Sequence, residues 1–212
     1  MKQLLIGLWA LALAGCQATD LEELPSLDDQ KVLSEVLAKA VDRDKLEPKR
    51  LDGYLVLCVP GSEDAYSGWV KETDEKGNLK SLGKLKSGKK QGRWTSWHEN
   101  REKKSEIQYV GDVMGGDFFE WHANGQVKAR GQTKDGEMDG HWVGWYENGT
   151  KAGVQWCNVG HLVSALSWKP DGSKCPETNA TKGNGVFVEY NEDGSIDKRQ
   201  IFKDGVGTEA KD

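Results

Sequence analysis

The amino-acid sequence predicts a mainly β protein: an elongated, single-layer antiparallel meander of β-hairpin repeats with one short N-terminal helix. Three observations lead there. A glycine-led pattern of ten residues returns at a regular interval from residue 68 onward. Most copies close on Asn-Gly or Asp-Gly, the dipeptides that supply the positive φ angles of tight hairpin turns. The 212 residues also hold 26 glycines and 9 tryptophans but only 36% hydrophobic side chains. That composition suits a thin sheet better than a multilayer core.

The chain starts Met1-Lys2, runs apolar from Leu4 to Ala14 and reaches Leu13-Ala14-Gly15-Cys16. A short positive region, a short apolar core and small residues before a cleavage point describe a secretory signal over 1–15. The apolar run is too short to span a bilayer. The four residues ending at Cys16 resemble the lipobox of bacterial lipoproteins, which implies lipidation of Cys16 and a membrane attachment through acyl chains. Gln17 after the cysteine resembles the outer-membrane sorting pattern, so the expected location is the bacterial cell envelope. The formal net charge is −5. Losing Lys2 with the signal leaves 28 basic and 34 acidic side chains, a net −6, which argues against nucleic acid as a partner.

Residues 16–30 are polar and acidic and read as a tether. From Leu27 to Leu46, Val32, Leu33, Val36, Leu37, Ala40 and Val41 recur at helical spacing. Ser26, Asp28 and Asp29 offer a start and Pro48 a stop, so a helix is predicted over 31–47. It would cover a sheet edge or face, or bind a partner or membrane. Tyr54 to Val59 is a short apolar strand within a lead-in over 48–67.

The repeats occupy 68–207, with a tail over 208–212. Three copies are clean: Gly92-Arg93-Trp94 to Arg101, Gly116-Asp117-Phe118 to Gly125, and Gly140-His141-Trp142 to Gly149. Aromatics hold the third and sixth places, and the ninth and tenth are Asn-Gly or Asn-Arg. With Gly68, these openings lie 24 residues apart, and weaker units open at Val163 and Gly185. A two-residue turn would pair Trp97 with Lys104, Trp94 with Ile107, Trp121 with Lys128, Gly92 with Tyr109 and Gly185 with Phe202. Lys stems would then lie along Trp faces. Trp94 and Trp97 fall on opposite faces under strict alternation unless a bulge reunites them.

These units, each followed by Tyr or Phe and a glycine-bearing loop, resemble the MORN-repeat variant (membrane occupation and recognition nexus) of the YwqK-type antitoxin family. The resemblance covers about 66–207, and more weakly 40–69. It implies an elongated, curled, single-layer sheet, and its family label implies an antitoxin or immunity-like role. Arg101 in place of the turn glycine, and Val163 in place of an opening glycine, depart from the pattern.

The sequence offers little chemistry. An exported chain can form disulfides. Cys157 and Cys175 are expected to pair if the irregular stretch from Cys175 to Asn184 breaks register, while Cys58 lies too far away. His98 and His122 sit about 10 Å apart by strand spacing, too far to share a metal ion, and read as solvent-facing. No nucleophile elbow or phosphate-cradling glycine loop appears. The expectation is no catalytic residue, no metal and no cofactor.

Lys80, Lys104 and Lys128 repeat along one face, and Trp94, Trp97, Trp121, Trp142 and Trp145 repeat through the units. Their plain reading is solubility and sheet packing. Their functional reading is a binding face for phospholipid headgroups or glycans. The function expected is a non-catalytic, lipid-anchored repeat scaffold for an unknown protein or envelope component.

Overall fold

A computed structural model describes residues 26–209 of the chain. The signal segment, Cys16 and the first part of the tether lie outside the described residues. Asp29 caps helix α1 (Gln30–Lys39), its carboxylate accepting from the Lys31 and Val32 amides. The helix stops well before residue 47. Val32, Val36 and Leu37 pack with Leu82 and Trp97 on one face of the main sheet, whereas Val41 and Leu46 pack with Val70, Leu85 and Trp94 on the other. The chain must therefore cross the sheet edge between these groups. It does so as strand β1 (Val41–Asp42), parallel to β4 (Gly68–Thr73), followed by one 3-10 turn.

Pro48, expected as a helix stop, instead lies in a hairpin of β2 (Glu47–Leu51) and β3 (Tyr54–Cys58). That hairpin covers the face carrying Trp94, where the Leu57 amide donates to Gly88 O at 3.2 Å.

The antiparallel meander is as the sequence predicts. It continues through β5 (Leu79–Lys86), β6 (Lys89–Trp97), β7 (Lys103–Val110), β8 (Val113–Trp121), β9 (Val127–Lys134), β10 (Glu137–Trp145), β11 (Lys151–Asn158) and β12 (His161–Ser167). These strands and β4 follow one another in sequence order in a ten-stranded open sheet, with β1 on its outer edge.

The two edges of the sheet turn differently. The Asn-Gly edge carries three-residue loops, not the two-residue turns expected. In the first clean unit the Arg101 amide donates to His98 O and the His98 amide to Glu102 O, with Arg101 at φ 72°. This is a type I turn closed by a left-handed residue, and a bulge follows it in the outgoing strand. The longer loop moves the register by one beside the turn, where Trp97 pairs with Lys103 and Trp121 with Val127. The bulge just beyond restores it, so Trp94–Ile107, Gly92–Tyr109 and Gly185–Phe202 stand as expected. Lys80, Lys104 and Lys128 are the bulged residues themselves. The two-residue turns lie on the opposite edge, as at Asp135–Gly136 with both φ positive (53° and 87°).

No bulge reunites Trp94 with Trp97. Both faces carry aromatics. Three residues, 92–94, stand opposite the single Gly83, and 140–142 stand opposite Gly131. The indoles of Trp94 and Trp142 lie flat over those glycines, where any Cβ would collide with the ring. Their Nε1 atoms donate to Lys84 O (3.2 Å) and Gln132 O (2.9 Å).

The unit opening at Val163 forms only its first strand, β12. After a turn at 169–173 the chain runs irregularly to Asn184, held by Ala165 N to Ala180 O (3.0 Å) and Ser167 Oγ to Thr178 Oγ1 (2.6 Å). The last hairpin then stands apart as a three-stranded sheet of β13 (Gly185–Tyr190), β14 (Ile196–Lys203) and β15 (Val206–Glu209). Phe187 anchors it on Cys157, Leu162, Ala165 and Ala180.

Candidate functional site

The third-place residues Val70, Trp94, Phe118 and Trp142 share one face of the main sheet, with Phe118 packed on Trp142 at 5.0 Å between ring centroids. Trp94 is buried under the β2–β3 hairpin and is removed from any binding surface. Toward the other end, the β13–β15 sheet leaves a groove of about 260 Å³ beside Trp142. Trp142, Tyr146, Phe187, Tyr190, Glu189 and Asp197 line it, and Gly144, Ala152 and Gly153 leave its floor low.

The groove's polar groups are unevenly engaged. Tyr146 Oη donates to Trp168 O at 2.7 Å, and Tyr190 Oη donates to Cys175 Sγ at 3.0 Å. Burial pushes both phenols up to about 12, so they present neutral rings to the cavity. The Glu189 carboxylate, by contrast, makes no hydrogen bond or ion pair among the described residues. Its cross-strand neighbour Lys198 is paired with Glu209 at 3.2 Å. Burial raises the Glu189 carboxyl, Lys198 opposes that rise, and Asp197 adds to it.

The sixth-place tryptophans lie on the opposite face. Trp97 packs beneath α1. Trp121 stacks on Phe119 and carries Lys103 Nζ 5.3 Å from its ring centre, and Trp145 carries Arg130 at 5.4 Å. Cations do cover the tryptophans, but from different positions than the two-residue register implied. Lys80 and Lys104 line a larger, open groove of about 640 Å³ with Trp97 at the three-residue-turn edge, while Lys128 is paired with Glu120 at 2.9 Å. The eight residues expected as one binding face are thus divided between two faces and one edge.

His98 and His122 are not solvent-facing. His98 Nε2 donates to Trp121 O (2.9 Å) and His122 Nε2 to Trp145 O (2.8 Å), where Tyr146 continues the series onto Trp168. A carbonyl only accepts, so the proton sits on Nε2 in both rings. Asn100, Asn124 and Asn148 form a parallel series. Each Oδ1 accepts an amide of its own turn, and each Nδ2 donates to the next turn, at Ala123, Glu147 and Pro170. The signal for these links was present as His, His and Tyr at the seventh place and Asn at the ninth.

The expected Cys157–Cys175 bridge does not form. Cys58, Cys157 and Cys175 are free and buried. Cys157 belongs to the apolar cluster under Phe187, and burial raises its thiol. Burial also acts upward on Cys175, but hydrogen bonds from Tyr190 and from Thr178 and Glu177 outweigh it and hold the thiol at about 7. Each sulfur therefore has its own surroundings in the fold. No family model and no curated protein matches the chain.

Proposed function

We propose that this chain is a non-catalytic scaffold, tethered to the bacterial envelope through a lipidated Cys16, that docks a protein partner at the groove between the main sheet and the β13–β15 sheet. The observation that carries the reading is the groove itself. Aromatic side chains from two separate sheets converge there around an unpaired carboxylate. Convergent aromatics in a concave site are the usual anchors of an interface. The turn-to-turn hydrogen bonds hold the supporting strands in one register, which favours a preformed site. The resemblance to MORN-variant antitoxins adds a toxin to the classes of partner to look for.

The test is crosslinking in the native envelope with a photoreactive residue replacing Gln155, which lines the groove, and another replacing Lys86, which is exposed far from it. Position 155 should yield one defined partner and position 86 none. Equal patterns from both positions would sink the reading. A second reading, binding of anionic headgroups or glycans, is drawn from Lys80 and Lys104, which line the edge groove with Trp97 and beside Asp74 and Glu99. Charge reversal at both lysines should then abolish binding of the full chain to anionic vesicles, and unchanged binding removes this reading.

A further inference from the structure

The size and lining of the groove narrow the chemistry of the group it can receive. Its volume, about 260 Å³, falls just under the roughly 300–1,000 Å³ of sites for drug-sized ligands. It is large enough for one long side chain. Four aromatic rings enclose it: Trp142, Tyr146, Phe187 and Tyr190. Both tyrosine hydroxyls are already donating elsewhere, so the rings offer faces and edges rather than hydrogen bonds.

Glu189 and Asp197 are the groove's charged groups. Neither has an ion pair among the described residues: Lys198 offsets the burial of Glu189 only from a distance while pairing with Glu209, and Asp197 sits exposed at the rim. A neutral sugar would stack on Trp142 yet leave these carboxylates without a counter-charge. An acidic ligand would be repelled. A cation would meet both the carboxylates and the negative faces of the rings. Tyr190 already carries one cation, with Lys169 Nζ 5.5 Å from its ring centre.

We infer that the groove receives an arginine side chain from an extended segment of the partner protein. The guanidinium would lie against the aromatic wall and direct its planar fork at Glu189 and Asp197. A flat, weakly hydrated cation fits such a wall better than a compact ammonium does. This inference rests on the docking reading and adds the chemistry of recognition to it.

The experiment titrates the full chain, in a non-ionic detergent, with three blocked tripeptides of the form Gly-X-Gly, where X is arginine, lysine or citrulline. Tryptophan fluorescence and amide NMR shifts report binding. The arginine peptide should bind at least tenfold more tightly than its neutral isostere citrulline, with lysine between them. Glu189→Gln should remove that preference, and Trp142→Phe, which keeps a ring on Gly131, should retain it. Equal affinity for arginine and citrulline, or an unchanged preference in Glu189→Gln, overturns the inference.

The crosslinking at position 155 separates the two levels. Capture retained in Glu189→Gln together with Asp197→Asn, but lost in Trp142→Ala, means the partner docks there without an arginine contact. Capture unaffected by any of these changes means the groove is not the docking site, and both readings fall.

Discussion

Arg101 occupies the position that glycine holds in the other two clean units, and it does so at φ 72°. A side chain in left-handed backbone costs about 1 kcal/mol or more. Its guanidinium recovers part of this by donating to Asn78 Oδ1 at 3.2 Å, an exposed contact of small value. Arg101→Gly should therefore stabilise the fold by about 1 kcal/mol, read as a higher urea midpoint with unchanged slope. The same scale explains where the pairing differs from the sequence expectation. Asn-Gly is compatible with a two-residue turn and with a three-residue turn that ends in a left-handed residue. The dipeptide alone does not separate them, and one residue of register moved Lys104 away from Trp97. Trp94 opposite Ile107 was legible because it lies on the regular side of that bulge.

At the scale of the element, each turn is built from its own side chain and then tied to the next. Asn124→Ala removes one hydrogen bond within its turn and one to Glu147 O. It should cost about 1–2 kcal/mol and accelerate amide exchange in both turns. Asn148 should tolerate the same change less well than a residue tied only within its own turn. The later turns use Asp171 and Asp193, whose carboxyls are held below the usual carboxylate range by hydrogen bonds from Ser173 and Ser195. A lowered folded pKa contributes stability that is present above the unfolded value and lost as pH falls through the folded one. Acidification below about pH 4 should loosen the Ser173 and Ser195 amides first and leave the Thr150 amide protected, because Asn148 does not titrate. Asp171→Asn should abolish the acid response at Ser173. These links between turns were not legible from strand pairing, which treats each hairpin edge by itself. The 24-residue recurrence of His98 with His122, and of Asn100 with Asn124 and Asn148, was the visible trace of them.

At the scale of the whole molecule, separate covers protect the two ends of the sheet. Leu46 and the β2–β3 hairpin close over Trp94 at one end, and Phe187 closes over Cys157 and Leu162 at the other. Repeat sheets conduct little stability beyond adjacent units. Phe187→Ala should cost about 3–5 kcal/mol locally and make Cys157 reactive to alkylation while Cys58 stays protected. In the wild type all three buried thiols should resist alkylation until unfolding, and reduction should leave their masses unchanged. The meander was legible because glycine, tryptophan and asparagine recur with a period. The groove was not, because the irregular path from residue 174 to Asn184 sets where Phe187 and Glu189 lie, and that path repeats nothing.

Each clean unit contributes two strands, or about 10 Å along the sheet, and is bonded to its neighbour at both edges in the same way. The number of units therefore works as a gauge. Copying one 24-residue block into the middle of the chain would set the groove about 10 Å further from the helical end, with the chemistry of both ends unaltered. The protein's reach could thus be adjusted by gene duplication alone.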